Sequence, residues 1–109
     1  MTDNAGKVSA IVKLIAQPGL RDELVTEFLA VRPLVDAEEG TEQYSLHLDQ
    51  ADADALWVVE VYTDQAAFDA HGGGAAIAQL IGALGSKLAD GGMQMHVATP
   101  LPSKGIATT

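Results

Sequence analysis

The stretch LWVVEVYTDQAAFDAHGGG, residues 56–74, decides the fold because it joins a strand to a helix within a few residues. Apart from one glutamate, its first part consists of the apolar, β-branched and aromatic types that favour strands. Thr63 or Asp64 can cap the helix that follows, which carries His71 near its end. The glycines at 72–74 then interrupt the helical pattern, because glycine is a poor helix former. The stretch therefore predicts a strand followed directly by a short helix.

Three further strands are indicated by β-branched or alternating residues. The run VSAIVKLIA, residues 8–16, is apolar on both faces and stops at Pro18 and Gly19, which predicts a central strand covered on both sides. Residues 42–49 alternate in polarity and predict a strand whose two faces differ. The last strand is predicted over residues 93–99.

Two longer helical segments follow from apolar residues spaced three or four apart. The first begins near Leu20 and ends before Gly40, and Pro33 is expected to kink its last turns. The second resumes after the glycine triplet and is expected to continue through Leu88 to Gly91 and Gly92. The resulting order, β-α-β-β-α(α)-β, predicts an α+β, ferredoxin-like fold with helices on one face of a four-stranded antiparallel sheet. Because the strands are apolar on both faces, we expect a homodimer in which a second sheet covers the other face.

Composition limits the domain count and the classes of partner. The chain has 109 residues, enough for one domain, which we place at 8–99 between an extension over 1–7 and a tail over 100–109. Six basic and 15 acidic residues give a net charge of −9, which disfavours binding to nucleic acid or an anionic membrane. The sequence shows neither a membrane-spanning run nor a secretory signal pattern, so we expect a cytoplasmic protein.

Metal and cofactor motifs are missing from the sequence. The chain has no cysteine, which excludes disulfides, thiolate metal sites and cysteine nucleophiles. His47, His71 and His96 do not show the spacing of metal-binding histidines. The glycine triplet follows a helix, whereas nucleotide-binding glycines open a helix after a strand. We therefore expect no metal and no cofactor.

Several short motifs occur at a characteristic spacing along the chain. Pro18 and Gly19 follow the first strand, Glu-Glu-Gly at 38–40 precedes Tyr44, and Glu-Val-Tyr at 60–62 precedes Phe-Asp-Ala-His at 68–71. Together they resemble the antibiotic biosynthesis monooxygenase family, small dimeric α+β barrel proteins that include quinol monooxygenases and anthrone oxygenases. The resemblance extends over nearly the whole chain. It implies a cofactor-independent monooxygenase that uses O2 to oxidise a quinol-type or polycyclic aromatic small molecule.

The resemblance also implies where the site lies. In that family, residues matching Glu60, Tyr62 and His71 border a pocket between the helices and the sheet. His71 and Glu60 are the candidate catalytic residues, since the reaction needs a base and histidine titrates near neutrality. Glu60 would resist ionisation in its apolar strand unless His71 or a hydroxyl group partners it. Tyr44, Tyr62 and Phe68 are the candidate substrate-binding residues.

The sequence departs from the relatives at several positions. Glycines at 72–74 replace the segment in which quinol monooxygenases usually carry a second histidine, and Tyr62 stands where tryptophan is common. Val12 and Ile81 stand where related haem-degrading enzymes have an asparagine and an axial histidine, which disfavours haem degradation. Two other functions stay open: a non-catalytic small-ligand-binding dimer, and an oxygen-independent isomerase-type enzyme using the same pocket.

Structural roles are alternatives for the same residues. A histidine at a helix end often satisfies the open carbonyl groups there, and Glu60 could serve only as a buried acid bonded by a tyrosine. The aromatic residues could belong to the core. Met93 and Met95 share a strand face and fit either the core or a dimer interface.

Overall fold

A computed structural model describes residues 6–107 of the chain. Residues 1–5 of the predicted extension and 108–109 of the predicted tail lie outside the described residues. The elements follow the predicted α+β order: β1 Val8–Ala16, α1 Arg21–Asp36, β2 Thr41–Leu48, β3 Ala55–Tyr62, α2 Gln65–Gly72, α3 Ala75–Leu84 and β4 Leu88–Ala98. Across residues 6–107, no helix is both long and apolar enough to span a bilayer.

The strands form one antiparallel sheet in the order β2-β3-β1-β4, which confirms the ferredoxin-like prediction and the central place of β1. In the register of this sheet, Val12 lies between Val58 of β3 and Met95 of β4. Since side chains alternate along a strand, these residues point to one face, and the odd-numbered residues of β1 and β3 point to the other.

The helices pack on one of the two faces. The buried core joins Val12, Leu14, Leu56 and Val58 of the sheet to apolar side chains of α1 and α3, which are Leu24, Phe28, Val31, Val35, Ala76, Leu80 and Leu84. At the middle of the opposite face, Ile11 is exposed and Trp57 and Val59 are half-buried. Residues 6–107 therefore cover only one face there, and coverage of the other by a second copy stays a prediction.

The predicted C-terminal end of the second long helix is wrong. The helix α3 ends at Leu84, and Leu88, predicted as helical, instead begins β4. Leu88 pairs with Ala16 across an irregularity in the β1–β4 ladder. A Cβ atom on Gly92 would lie 2.4 Å from the carbonyl oxygen of Ile15, so only glycine permits this close approach of the two strands. Leu88 still packs against the core, which explains why its spacing resembled that of a helix.

Candidate active site

A cavity of about 410 Å³ lies between the sheet and the helices. This volume is in the usual range for small-molecule sites. Most of its lining side chains are apolar, and its polar ones are those of Tyr44, Glu60 and His71. Met93 and Met95 also line it and are 54% and 56% exposed, so the cavity opens beside β4. Its polar groups lie on β2, β3 and α2.

The sheet register brings two of the polar residues together. Alternation along β3 places Val58, Glu60 and Tyr62 on the face covered by the helices. Tyr44 of β2 lies directly opposite Glu60 in the β2–β3 ladder. Cross-strand neighbours on one face have adjacent side chains, so the pairing places the Tyr44 phenol beside the Glu60 carboxyl.

The short helix α2 places His71 over these strands. Asp64, one of the two residues predicted to cap this helix, is its N-terminal cap. Its Oδ1 accepts a 2.8 Å hydrogen bond from the Ala67 amide. At the other end of α2, the His71 ring is 5.2 Å from the Tyr44 ring and 5.3 Å from the Tyr62 ring, measured between centroids. His71 is only 4% exposed. The ring packing therefore fixes the histidine at the wall of the cavity.

The five predicted site residues lie close together, but only four of them line the cavity. Tyr44, Glu60, Phe68 and His71 line the cavity. Tyr62 is fully buried behind them, and its ring packs edge-on against Phe68 at 5.4 Å. The Tyr62 side chain therefore contacts the residues of the cavity wall and does not itself line the cavity. Its predicted contact with substrate stays a prediction.

Glu60 is bonded to a tyrosine, one of the partners anticipated for it. The Tyr62 hydroxyl donates a 2.5 Å hydrogen bond to Oε1 of Glu60. Burial raises the pKa of the Glu60 carboxyl above its ordinary value of 4.5, although the Tyr62 hydrogen bond and the nearby His71 oppose the rise. A carboxyl group with a raised pKa can hold a proton and donate it inside the cavity.

Both tyrosines stay neutral hydroxyl groups at this site. Burial raises the pKa of Tyr44, and the neighbouring Glu60 and Glu38 carboxylates raise it further. Burial also raises the pKa of Tyr62, followed by its hydrogen bond to Glu60. Neither phenol is therefore a base near neutral pH, and each can donate a hydrogen bond.

The hydrogen-bond partner of His71 is Glu38, a residue to which the sequence analysis assigned no role. Nδ1 of His71 lies 2.7 Å from Oε1 of Glu38, and the Thr41 hydroxyl donates to the same oxygen at 2.7 Å. Glu38 lies in the loop between α1 and β2. The only signal for it in the sequence was its place in the Glu-Glu-Gly motif at 38–40.

The other ring nitrogen of His71 is unsatisfied. Nε2 is buried and has no hydrogen-bond partner among residues 6–107. The ring does not serve as the helix cap that the sequence allowed, since the amides of Gly73 and Gly74 bond to the last carbonyl groups of α2. Buried polar atoms are normally paired, so an unpaired nitrogen on a residue that lines the cavity makes His71 the candidate partner of a ligand atom.

The possible ligands for a metal ion or a haem iron can be read from the side chains. In the part of the chain that the structure describes, no group of three or more histidine, aspartate or glutamate side chains could hold a metal ion. Val12 and Ile81, which match the haem-contacting positions of the haem-degrading enzymes, both line the cavity. Their hydrocarbon side chains offer no iron ligand.

Comparison with known proteins agrees with this architecture. The family model for antibiotic biosynthesis monooxygenases matches residues 7–82, the segment that contains every polar site residue named above. No protein of curated function matches the sequence at a significant level.

Solved structures share the fold over most of their length. Rv0793 from Mycobacterium tuberculosis is 26% identical, with a TM-score of 0.80, 90% of this chain covered and 98% of the other. A candidate antibiotic biosynthesis monooxygenase from Chloroflexus aurantiacus is 23% identical, with a TM-score of 0.79 and coverages of 94% and 100%. PA3566 from Pseudomonas aeruginosa is 24% identical, with a TM-score of 0.79 and coverages of 88% and 95%.

Proposed function

Since the chain belongs to the antibiotic biosynthesis monooxygenase family, we propose that it is a cofactor-independent monooxygenase of neutral quinol-type or polycyclic aromatic molecules. One observation carries the proposal: an apolar cavity of about 410 Å³ has in its wall a buried histidine whose Nε2 is unpartnered. Apolar walls hold fused rings, and a bare imidazole nitrogen accepts a proton from an acidic O–H or C–H group.

The lining favours substrates that enter without charge. It contains neither lysine nor arginine, and the whole chain carries a net charge of −9. A carboxylate or sulfate group would therefore be buried without a counter-charge, which is costly. The substrate is better bound as a neutral molecule whose oxygen atoms face Tyr44 and His71.

The proposed reaction begins with proton transfer to His71. Nε2 takes the proton, and the electron pair of the broken bond stays on the substrate. The resulting carbanion or phenolate passes one electron to O2, and the organic radical and superoxide couple to form a carbon–oxygen bond. The protonated ring returns its proton to the outer peroxide oxygen. His71 then removes the hydrogen left on the oxidised carbon as a proton, and the electron pair of that C–H bond forms the C=O bond as the O–O bond breaks. The departing hydroxide takes this proton and leaves as water.

This sequence of steps balances without a further reductant. A substrate CH2 group and O2 become a C=O group and water, so all four electrons that reduce O2 come from the substrate. The apolar lining excludes bulk water from the carbanion, which prevents its reprotonation by solvent.

We also propose that the chain works as a homodimer in the cytoplasm. The open sheet face supports dimerisation, because Ile11 is exposed there and Trp57 and Val59 are only half-buried. Light scattering on the purified protein tests the dimer, and a single monomeric species at micromolar concentration would contradict it.

Oxygen uptake by metal-stripped protein tests the activity. The panel contains hydroquinones, naphthohydroquinones and anthrones, and His71→Ala is measured beside the unaltered protein. We expect uptake above autoxidation and a loss of at least about tenfold in the variant, the smallest effect usual for a general base. The matched control is His96→Ala, because His96 is an exposed histidine on β4. Uptake equal to autoxidation, or unchanged in His71→Ala, would refute the proposal.

An oxygen-independent isomerase is a second candidate, favoured by the raised pKa of Glu60. Glu60 and His71 line one cavity, so a carboxyl group and an imidazole are both within reach of a bound molecule, as a reaction that removes a proton at one carbon and adds it at another requires. Substrate turnover that persists under argon selects this function. Ligand binding without any turnover selects the non-catalytic binding dimer.

A further inference from the structure

The His71 ring separates two cavities. One is the apolar cavity of about 410 Å³, and the other is a smaller cavity of about 240 Å³ between the loop that carries Glu38 and the helices α2 and α3. His71 lines both, whereas Glu38 and Thr41 line only the smaller one. The carboxylate therefore contacts the ring from the side away from the substrate cavity.

We propose that Glu38 is the positioning residue for His71: it holds the ring hydrogen on Nδ1 and stabilises the imidazolium that forms during turnover. The proposal rests on the proposed function for the identity of the reaction. It adds a residue that touches neither substrate nor oxygen and acts only through the histidine.

The hydrogen-bond pattern determines which nitrogen carries the hydrogen. A carboxylate oxygen only accepts, and Oε1 of Glu38 already accepts from the Thr41 hydroxyl. The 2.7 Å contact between Oε1 and Nδ1 is therefore a hydrogen bond only if Nδ1 is the donor. A neutral ring with its hydrogen on Nδ1 has a bare Nε2, the nitrogen that has no partner among the described residues.

The same contact stabilises charge during the reaction. When Nε2 takes a proton from the substrate, a new N–H bond forms there and the ring becomes a cation at a position that is 4% exposed. A buried cation is costly unless an anion lies beside it. Glu38 supplies that anion at Nδ1 and does not take the proton, which stays on Nε2 until it returns to the peroxide.

The smaller cavity lets water reach the carboxylate. Glu38 is 21% exposed, and Gly74, which has no side chain, lies next to its second oxygen. A Cβ atom on Gly74 would lie 3.6 Å from Oε2 of Glu38. Oε2 is therefore on the side of the smaller cavity, and Glu38 does not line the substrate cavity.

The first test uses the resting full-length protein without substrate, so it does not depend on the proposed reaction. Nitrogen NMR on protein carrying isotope-labelled histidine, assigned with His71→Gln, reports which ring nitrogen is protonated. In the neutral ring we expect the hydrogen on Nδ1, and in Glu38→Ala we expect it to distribute over both nitrogens. A hydrogen on Nε2 in the unaltered protein, or no change in Glu38→Ala, would overturn the proposal.

The second test separates positioning from substrate binding. Glu38→Gln keeps the shape of the side chain and removes its charge. We expect kcat on an active panel compound to fall at least about tenfold while KM changes less than about threefold, because the charge acts on the imidazolium. Glu38→Asp should recover part of the loss.

The control is Glu39→Gln, which removes the same charge from the exposed neighbouring residue. Its kcat should equal that of the unaltered protein. Equal losses in Glu38→Gln and Glu39→Gln, or an unchanged kcat in Glu38→Gln, would overturn the role of Glu38. If no panel compound is turned over, the proposed function fails, and the NMR result alone decides whether Glu38 sets the hydrogen position.

Discussion

The two ends of the substrate cavity are built differently. At the closed end, hydrogen bonds fix the polar groups: Tyr62 donates at 2.5 Å to Glu60, its neighbour on β3, and Glu38 of the α1–β2 loop bonds at 2.7 Å to His71 from outside the cavity. At the open end, the side chains of Met93 and Met95 line the cavity, make no hydrogen bond among residues 6–107 and are more than half exposed.

The polar groups that could take part in a reaction therefore lie at the closed end, and a ligand would enter at the open end. Each polar group at the closed end depends on a partner, so removal of one leaves another buried and unpaired. The side chains of Met93 and Met95 at the open end pack by apolar contact, which tolerates changes in shape. Substitutions should therefore have large effects at the closed end and small ones at the open end.

The largest expected contrast is in stability. Tyr62→Ala removes a fully buried ring that packs against Phe68 and His71, and we expect the free energy of unfolding to fall by about 3–5 kcal/mol. Met93→Ala at the open end should cost less than about 1 kcal/mol. Urea unfolding at matched protein concentration measures both. A large loss in Met93→Ala would instead indicate that a partner covers β4.

A smaller effect isolates one hydrogen bond of the closed end. Tyr62→Phe keeps the ring but leaves Oε1 of Glu60 without its donor, and we expect a loss of about 1–3 kcal/mol in unfolding free energy. Tyr44→Phe is the control, since the Tyr44 hydroxyl makes no hydrogen bond within residues 6–107. Equal losses in the two variants would show that the Glu60 contact contributes nothing specific.

The raised pKa of Glu60 predicts a pH dependence of stability. The folded state holds the proton more tightly than the unfolded state, whose Glu60 ionises near 4.5. Below that pH Glu60 is protonated in both states. As pH rises above it, the unaltered protein should lose stability relative to Glu60→Gln, by at most about 1.4 kcal/mol per pH unit, until the folded Glu60 also ionises.

Unfolding curves of the two proteins at several pH values test this dependence. Glutamate and glutamine have the same number of heavy atoms, and the two proteins share every other titrating group, so the difference curve reports Glu60. A difference that grows in favour of the unaltered protein as pH rises would show that the Glu60 carboxylate is stabilised in the folded state.

The smallest predicted effect is on the affinity for a negatively charged ligand when the open end is altered. Met95→Lys places a cation at the mouth, and we expect it to improve binding of a carboxylate-bearing naphthohydroquinone by roughly tenfold or less, since partial exposure weakens charge interactions. Met95→Gln, of similar length but neutral, is the matched control. Fluorescence titration under argon measures both affinities without turnover. Equal affinities would contradict the inference that anions bind poorly because no lysine or arginine lines the cavity.

Local patterns predicted much of this protein. The apolar and β-branched run in β3 and the cap at Asp64 placed Glu60 and His71 on the correct elements, because neighbouring residues determine both features. The prediction failed for Leu88, because its spacing fits a helix although it packs against the core from β4. Of the two partners expected for Glu60, a hydroxyl group is the one observed, that of Tyr62, and His71 bonds to Glu38.

By itself, then, the sequence determined the order of strands and helices, the strand that carries Glu60, and the absence of cysteine chemistry. Only the tertiary structure decided that Glu38 bonds to His71, 33 residues away along the chain, and that Nε2 of this cavity-lining residue has no partner among residues 6–107. The reason is physical: periodicity depends on adjacent residues, whereas a hydrogen bond between a loop and a helix depends on how the whole sheet positions both.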